Sequence, residues 1–366
     1  MDVAIVGGGI TGASLLHHLT GRQLRPLLIE RFRVASGASG RNAGFLLAGV
    51  AANYAQAVEL YGRSLAGEVW AFTLDNHALL AEALGGRAGY RRRGSLILAA
   101  TDEEAELLCA SEALLREDGF EARWDAEDRA LFNPRDGELD PVAAVERLVG
   151  GAPLDSVAEG ATVNTIEPLA GGGVRLETTA GVVSAGAVVL ATNAYTSALL
   201  PNAPIAPVRG QMLASAPEPR RLFSCPVYSH WGYRYWRQLD NGEVLAGGYR
   251  DTAAGEEVGY REETTPGIQH RLEQHLRELG SESAVRHRWA GIMGFSPDGL
   301  PFAGEVPGWR GVLVCGGYTG HGMAFAYRSA RDVAELLAGR TRPPAWLSPA
   351  RAWPAAPESR QNVAIA

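Results

Sequence analysis

Val3-Ala4-Ile5-Val6-Gly7-Gly8-Gly9-Ile10-Thr11-Gly12 opens the chain, and Leu27-Leu28-Ile29-Glu30 follows one helix length later. The order is strand, tight turn, helix, strand, acid. Gly7 permits the turn, Gly9 lets a pyrophosphate approach the backbone, and Gly12 lets the helix pack on the strand. The helix start presents unpaired N–H groups and a partial positive charge to phosphates. Glu30 stands near the spacing at which a carboxylate accepts hydrogen bonds from a ribose. The same glycines also serve βαβ turns that bind nothing; here the flanking strand, helix and acid favour a dinucleotide.

Around this motif the bulk properties exclude several classes. With 366 residues the chain holds two domains, or one large fold with insertions. A net charge of -7 argues against a nucleic-acid binder. No segment reaches the roughly 18 uninterrupted apolar residues of a membrane span. No basic stretch precedes the first strand, so a cytoplasmic protein is expected. Cys109, Cys225 and Cys315 lie far apart, in neither a disulfide framework nor a zinc spacing, and read as small buried apolar residues. No metal site is expected. All 34 basic residues are arginine, which excludes an enzyme-lysine Schiff base and a Walker A loop.

Further along, Thr11–Thr20 reads as a helix with His17 and His18 at its surface, and 55–84 as one long helix. Ser36 to Gly44 is a small, polar, glycine-rich loop of the kind that wraps a ligand or wanders at the surface. Tyr90 to Ala100 reads as a strand, with Arg91-Arg92-Arg93 as a solvated edge. Thr101 and Asp140-Pro141 start helices. Strands are expected at 162–166, 174–178 and 182–183. Ala187 to Thr192 suits a central parallel strand buried on both faces. Asp240-Asn241-Gly242 marks a hairpin between 233–237 and 243–249, and a helix spans 265–280. Near the end come Gly294 to Pro301, the strand Val312 to Cys315, the turn Gly316-Gly317-Tyr318-Thr319-Gly320-His321-Gly322 and a helix from Met323 to Leu337. Beyond Thr341 a Pro/Ala-rich tail reads as loosely held.

These pieces together resemble the FAD-dependent D-amino acid oxidase superfamily, most closely its glycine oxidase, sarcosine oxidase, D-amino acid dehydrogenase and γ-glutamylputrescine oxidase branch. Four motifs in the family's order carry the resemblance over about residues 2–340: Gly7 to Gly12 with Glu30; Ser36 to Gly44; Val188 to Asn193; and Gly294 to Pro301 with Gly316 to Gly322. It implies an α/β, Rossmann-like FAD domain with an inserted α+β substrate domain built on a mixed or antiparallel sheet. The expected division is 1–85, 140–208 and 288–340 for FAD, 86–139 and 209–287 for substrate, and 341–366 for the tail.

The resemblance further implies FAD against Gly7, Gly9, Ile10, Thr11 and Gly12 at the pyrophosphate and Glu30 and Arg31 at the ribose. Ser39, Arg41, Asn42 and Gly44 would follow the ribityl chain, Val163, Ala191 and Thr192 the adenine side, and Gly320, His321, Gly322 and Met323 the pyrimidine edge. It implies hydride removal beside an amine, giving an imine that hydrolyses, with an amine or amino acid as substrate and oxygen or a quinone as acceptor. Candidates for catalysis are His321, Arg41 and Tyr318; His321 also admits a purely structural reading, and Arg41 a role in the FAD loop. Glycine oxidases place a carboxylate-gripping arginine where Met293 stands, and sarcosine oxidases a lysine where Ala324 stands. The latter's flavin-linking cysteine would fall near Gly291, so FAD is expected to be noncovalent. A substrate carboxylate would need another cation, with Arg234, Arg237, Arg288 and Arg41 as candidates. Aromatic walls could come from His230, Trp231, Tyr233, Tyr235 and Tyr318, a stripe that also reads as sheet packing. Alternatives are oxidation of a 2-hydroxy acid or glycerol phosphate, and a non-catalytic flavin-binding subunit.

Overall fold

The computed structural model describes residues 1–22 and 24–353. Two large sheets organise it. The first has six strands in the order Phe302–Glu305, Val312–Gly316, Ala187–Leu190, Val3–Val6, Pro26–Ile29 and Val157–Ala158. All neighbours run parallel except the edge strand Phe302–Glu305. Its central strands are apolar without alternation because helices cover one face and a second layer covers the other. Helix Ile10–Leu19 packs against Gly322–Leu337 and Pro141–Val149 on one side. Val174, Leu176 and Ala185, from the three-stranded sheet of Val163–Pro168, Val174–Thr178 and Gly181–Ala185, close the other.

The second sheet has eight strands: Val285–Phe295, Ala206–Ser215, Val244–Gly248, Arg234–Gln238, Val227–Ser229, Ser95–Leu98, Ala130–Asn133 and Arg123–Asp125. All pairs are antiparallel but Val227–Ser229 with Ser95–Leu98. Strand alternation gives it two different faces. Leu213, Val244 and Ala246 meet Ile268, Leu272 and Leu276 of helix Pro266–Glu278, each Leu, Ile or Val side chain contributing about 1.5–3 kcal/mol. Met212, Ala214 and Leu245 face the opposite way, against Ala43, with Phe45, Tyr235 and Trp289 beside them. That second face looks toward the Rossmann-like half. Strands Ala206–Ser215 and Val285–Phe295 straddle the expected boundaries at 208 and 288.

Local physics moves several expected elements. The long helix at 55–84 is two, Tyr54–Tyr61 and Arg63–Leu84, because Gly62 sits at φ 80° between them. The strand at 90–100 shrinks to Ser95–Leu98 after Gly94 at φ 76°. Thr101 and Asp140 do cap their helices, accepting from Glu104 N at 3.2 Å and from Val142 N at 3.0 Å. His18 is not a free surface residue: its ring lies 4.5 Å from that of Tyr327, and burial pushes its pKa down to about 3. Cys109 is exposed, whereas Cys225 and Cys315 are buried. Part of the tail is firmly packed. Trp346 donates to Glu68 at 2.8 Å, and Trp353 meets Phe302 edge-on. Residues 354–366 lie outside the described range.

Candidate active site

Between the two sheets runs a cavity of about 430 Å³, bordered by the opening turn, the loop 36–44, the 318–324 bend and the inner face of the eight-stranded sheet. The turn is fixed by the absence of side chains. A Cβ on Gly12 would lie 1.9 Å from Gly7 O, and one on Gly9 2.8 Å from Ser39 Oγ. Gly7 itself sits at φ 106°. Ser39 Oγ accepts the Ile10 N–H at 2.8 Å, pinning the loop over the helix start. Asn42 shapes that loop, donating to Ser39 O at 2.8 Å and accepting from Gly44 N at 2.7 Å. Glu30 accepts from Gly8 N at 2.7 Å and Phe32 N at 2.9 Å, so its carboxylate stands where strand and turn meet. Arg31, Val163, Ala191 and Thr192 line the same end.

The other end is built by the late motif. Asn193 Oδ1 accepts Gly317 N–H at 2.8 Å, and Thr319 N–H donates to Gly294 O at 2.9 Å. These bonds hold Gly320 (φ 88°) and His321 at the start of helix Gly322–Leu337. Burial pushes the His321 pKa down to about 4, so its ring is neutral at pH 7. Met323 lies just inside.

FAD fits this frame. Two helix starts, at Ile10 and Gly322, open into one cavity, and their first N–H groups lack intrahelical partners. The Gly9 and Gly12 contacts leave the opening turn as bare backbone. The residues that the sequence assigns to FAD on both motifs line the cavity, with Gly12 and Gly44 just behind it shaping their turns.

Beyond these turns the sheet supplies an aromatic chamber. The rings of Phe45 and Tyr228 lie 5.5 Å apart, Tyr228 and Tyr235 5.7 Å, and Tyr228 and His321 6.3 Å at 15° between planes. Burial holds the Tyr228 hydroxyl well above its ordinary range and that of Tyr235 up to about 12, so both stay protonated. Met293 and Tyr233 complete this wall.

Several site expectations are corrected. Arg234 is buried against Asp251 at 2.7 Å and stacks on Tyr249. Arg237 donates to Leu139 O at 2.9 Å beside Glu138. Arg288 pairs with Glu273 at 2.7 Å behind the sheet. None of the three lines the cavity, because each strand turns it away from the inner face or into a carboxylate. Arg41 does line it, but its guanidinium holds Ser36 O, Ala290 O and Glu262, the last at 2.6 Å. The Tyr318 hydroxyl is turned from any substrate: it bonds Thr11 Oγ1 at 2.9 Å and lies 3.5 Å from Cys315 Sγ. His230 faces solvent, its ring against Ser229.

The sequence reading missed Arg250, Tyr228, Phe45 and Phe295. Arg250 follows Gly248 at φ 126° and Tyr249 at φ 65°, which swing the chain out of its strand. Its guanidinium carbon lies 4.4 Å from the Tyr233 ring and 5.1 Å from that of Phe295. Nothing local in the sequence separates it from the other arginines; only the turn places it. Three-residue clusters of metal-ligating type are absent among the described residues, and no helix there is long and apolar enough to cross a membrane.

Comparison with known proteins agrees with the geometry. The family described as DAO, FAD dependent oxidoreductase, matches residues 2–336. A glycine oxidase of Geobacillus kaustophilus is 27% identical over 365 residues, 92% of this chain and 92% of that one. A Rhizobium meliloti protein named "Probable oxidoreductase OrdL" is 27% identical over 375 residues, 93% of this chain and 83% of its own length. The crystal structure of glycine oxidase from Geobacillus kaustophilus superposes with a TM-score of 0.78 over 95% of this chain and 97% of that one, at 24% identity.

Proposed function

We propose, from the premise that this chain belongs to the DAO family of FAD-dependent oxidoreductases, that it oxidises a primary or secondary amine, amino acids included. The C–H bond beside nitrogen gives up a hydride, the nitrogen loses its proton to solvent, and water hydrolyses the resulting imine. The observation that carries this reading is the single cavity in which both glycine-rich bends and a chamber of neutral aromatic groups meet. The full-length relatives' names, glycine oxidase among them, point the same way.

FAD, when bound, supplies the hydride acceptor. Gly7 to Gly12, Glu30 and Arg31 would hold its nucleotide end, the 36–44 loop its middle, and Gly320 to Met323 its ring end. The positive end of helix Gly322–Leu337 favours negative charge beside His321. Tyr228, Tyr235 and Phe45 strip water from the amine, which favours its neutral, oxidisable form. Neutral His321 adds no cation to repel it. The cysteines support noncovalent FAD: Cys109 is exposed on the outer side of a helix whose Leu108 and Leu115 face the cavity, and Cys225 and Cys315 are buried outside the cavity lining. With Ala324 where a related branch carries lysine, we further propose slow reaction with oxygen and transfer to a quinone.

An anaerobic screen of amines and amino acids against the holoenzyme, following loss of the visible flavin band, tests the reading. Bleaching with a carbonyl product and released amine or ammonia is expected. Bleaching by a 2-hydroxy acid or glycerol phosphate alone overturns it in favour of C–OH oxidation. A flavin that none of these reduces marks a binding subunit. Rapid peroxide formation on reoxidation overturns the quinone proposal.

A further inference from the structure

Among the described residues three arginines line the cavity, and their surroundings differ. Arg41 pairs with Glu262 at 2.6 Å, and Arg31 approaches the same carboxylate at 3.9 Å. Arg250 has no carboxylate within 4 Å among the described residues, and no hydrogen bond from its guanidinium is present there. A half-buried guanidinium without an acid carries a desolvation cost that a partner normally offsets. The rings of Tyr233 and Phe295 cover it. Stacking occupies the faces of the planar group and fixes its orientation, while its N–H edges remain for a ligand.

The position of the charge says where the rest of that ligand lies. Arg250 lines the same cavity as Tyr228, Tyr235 and His321, the groups that wall the aromatic chamber, and lies over Tyr233 of that wall. Met293, on the edge strand Val285–Phe295 that also carries Phe295, brings no charge, and its sulfur borders the Gly320 bend. An anion on the edge of Arg250 therefore leaves its remaining carbon atoms and nitrogen in the chamber, beside the bend that bears His321.

We propose that Arg250 anchors a carboxylate on the substrate, so that the enzyme acts on amino acids or longer amino-carboxylates and discriminates against simple amines. The proposal rests on the amine-oxidation reading and narrows it. A planar guanidinium binds a planar carboxylate through two parallel N–H bonds, a geometry that an amide or ester does not match.

The test compares Arg250→Met and Arg250→Lys with the parent holoenzyme, after checking that all three carry equal FAD. The probes are glycine with glycinamide, N-methylglycine with its amide, and 4-aminobutanoate with butylamine. Each pair is followed by anaerobic flavin reduction. Propanoate, which has no amine, is titrated separately by its perturbation of the visible flavin band and by thermal melting. Arg250→Met is expected to raise KM for the acids about 100-fold or more and to change kcat less, the pattern of lost ground-state binding. Amides and butylamine should shift by less than about 3-fold. Propanoate binding should weaken in step with the acids, and Arg250→Lys should restore part of it. Equal effects on acids and amides overturn the proposal, and so does loss of FAD from Arg250→Met, which would place the guanidinium on the cofactor. If no probe reduces the flavin, the amine reading fails, while the propanoate titration still decides whether Arg250 binds a carboxylate.

Discussion

On the six-stranded side the cavity wall is backbone; on the eight-stranded side it is side chain. Gly7, Gly9 and Gly12 build their part by having nothing to offer but N–H groups and close approach. Tyr228, Tyr235, Met293 and Arg250 come from four separate segments and meet only after the sheet has formed. A backbone wall recognises what every member of the family shares. A side-chain wall carries what distinguishes this chain.

The sharpest break of that contrast is Gly12→Val. Its Cβ would stand 1.9 Å from Gly7 O and 3.1 Å from Gly7 C, backbone of the turn itself that has no flexible side chain to yield. The variant should purify without yellow colour, and near-normal flavin content would show that the turn has more freedom than this packing allows. The corresponding break on the other sheet is different in kind. Arg209 and Glu257 are buried, joined by Nε–Oε2 at 3.0 Å, and Gln211 donates to the same carboxylate at 3.0 Å. Glu257→Gln leaves a buried guanidinium without its charge partner and should lower unfolding stability by about 3–5 kcal/mol. Replacing both by apolar residues of similar size, as in Arg209→Met with Glu257→Met, should recover most of this in denaturant titrations. A double variant as unstable as the single one would show that the pair's hydrogen bonds, not its charge balance, hold the sheet.

Legibility in the sequence follows the same division. Gly7 to Gly12, the central strands and both helix starts were readable because backbone geometry restricts residue type at each position. Helix and strand periods carried most elements, and a miss such as the break at Gly62 came from a glycine whose φ of 80° was not foreseen. The substrate wall was not readable in this way. Arg234, Arg237 and Arg288 were named and Arg250 was not, since exposure to a cavity depends on strand alternation and on carboxylates outside the arginine's own strand, such as Asp251, Glu138 and Glu273. Tyr235 was one of several aromatic candidates named around the 233–237 strand, and the sheet brings it beside Tyr228. Phe45 was missed because it sits on the two-residue strand Phe45–Leu46, too short for a period to register.

Behind Phe45 the cavity reaches Asp136, a carboxylate that belongs to neither wall. It is buried, accepts from Ser95 Oγ at 2.7 Å and Ala48 N at 2.9 Å, and burial pushes its pKa up to about 7. The folded protein thus holds this proton to a higher pH than the unfolded chain, whose Asp titrates near 3.8. Its contribution is complete below about pH 4 and is lost as pH rises through about 7. The loss is up to about 4 kcal/mol. His77 and His321, pushed down to about 4, act in the opposite direction below pH 6.5. The difference between parent and Asp136→Asn isolates the aspartate: the variant should lack the decline between pH 4 and 7 in urea unfolding. An unchanged slope would mean that the carboxylate is solvated through the cavity.

The mildest effect is expected where the two walls touch. Glu262 comes from the segment after the substrate strands, yet its carboxylate holds Arg41 at 2.6 Å and the Tyr195 hydroxyl at 2.6 Å, with Arg31 at 3.9 Å, all on the FAD side. Burial pushes its pKa up, and these partners outweigh burial and bring it below the ordinary value. About 38% of its side chain remains exposed, and Arg31 and Arg41 are 37% and 32% exposed. Solvent screening at that exposure limits such pairs to about 0.2–1 kcal/mol. Glu262→Gln keeps the shape and one acceptor, so FAD affinity should fall only a few-fold, and less in high salt. The measurement is FAD titration of the apoprotein at two salt concentrations. A loss of 100-fold or more, insensitive to salt, would mean that the side-chain wall helps to build the dinucleotide site. The separation between a shared backbone wall and a distinctive side-chain wall would then hold only away from this seam.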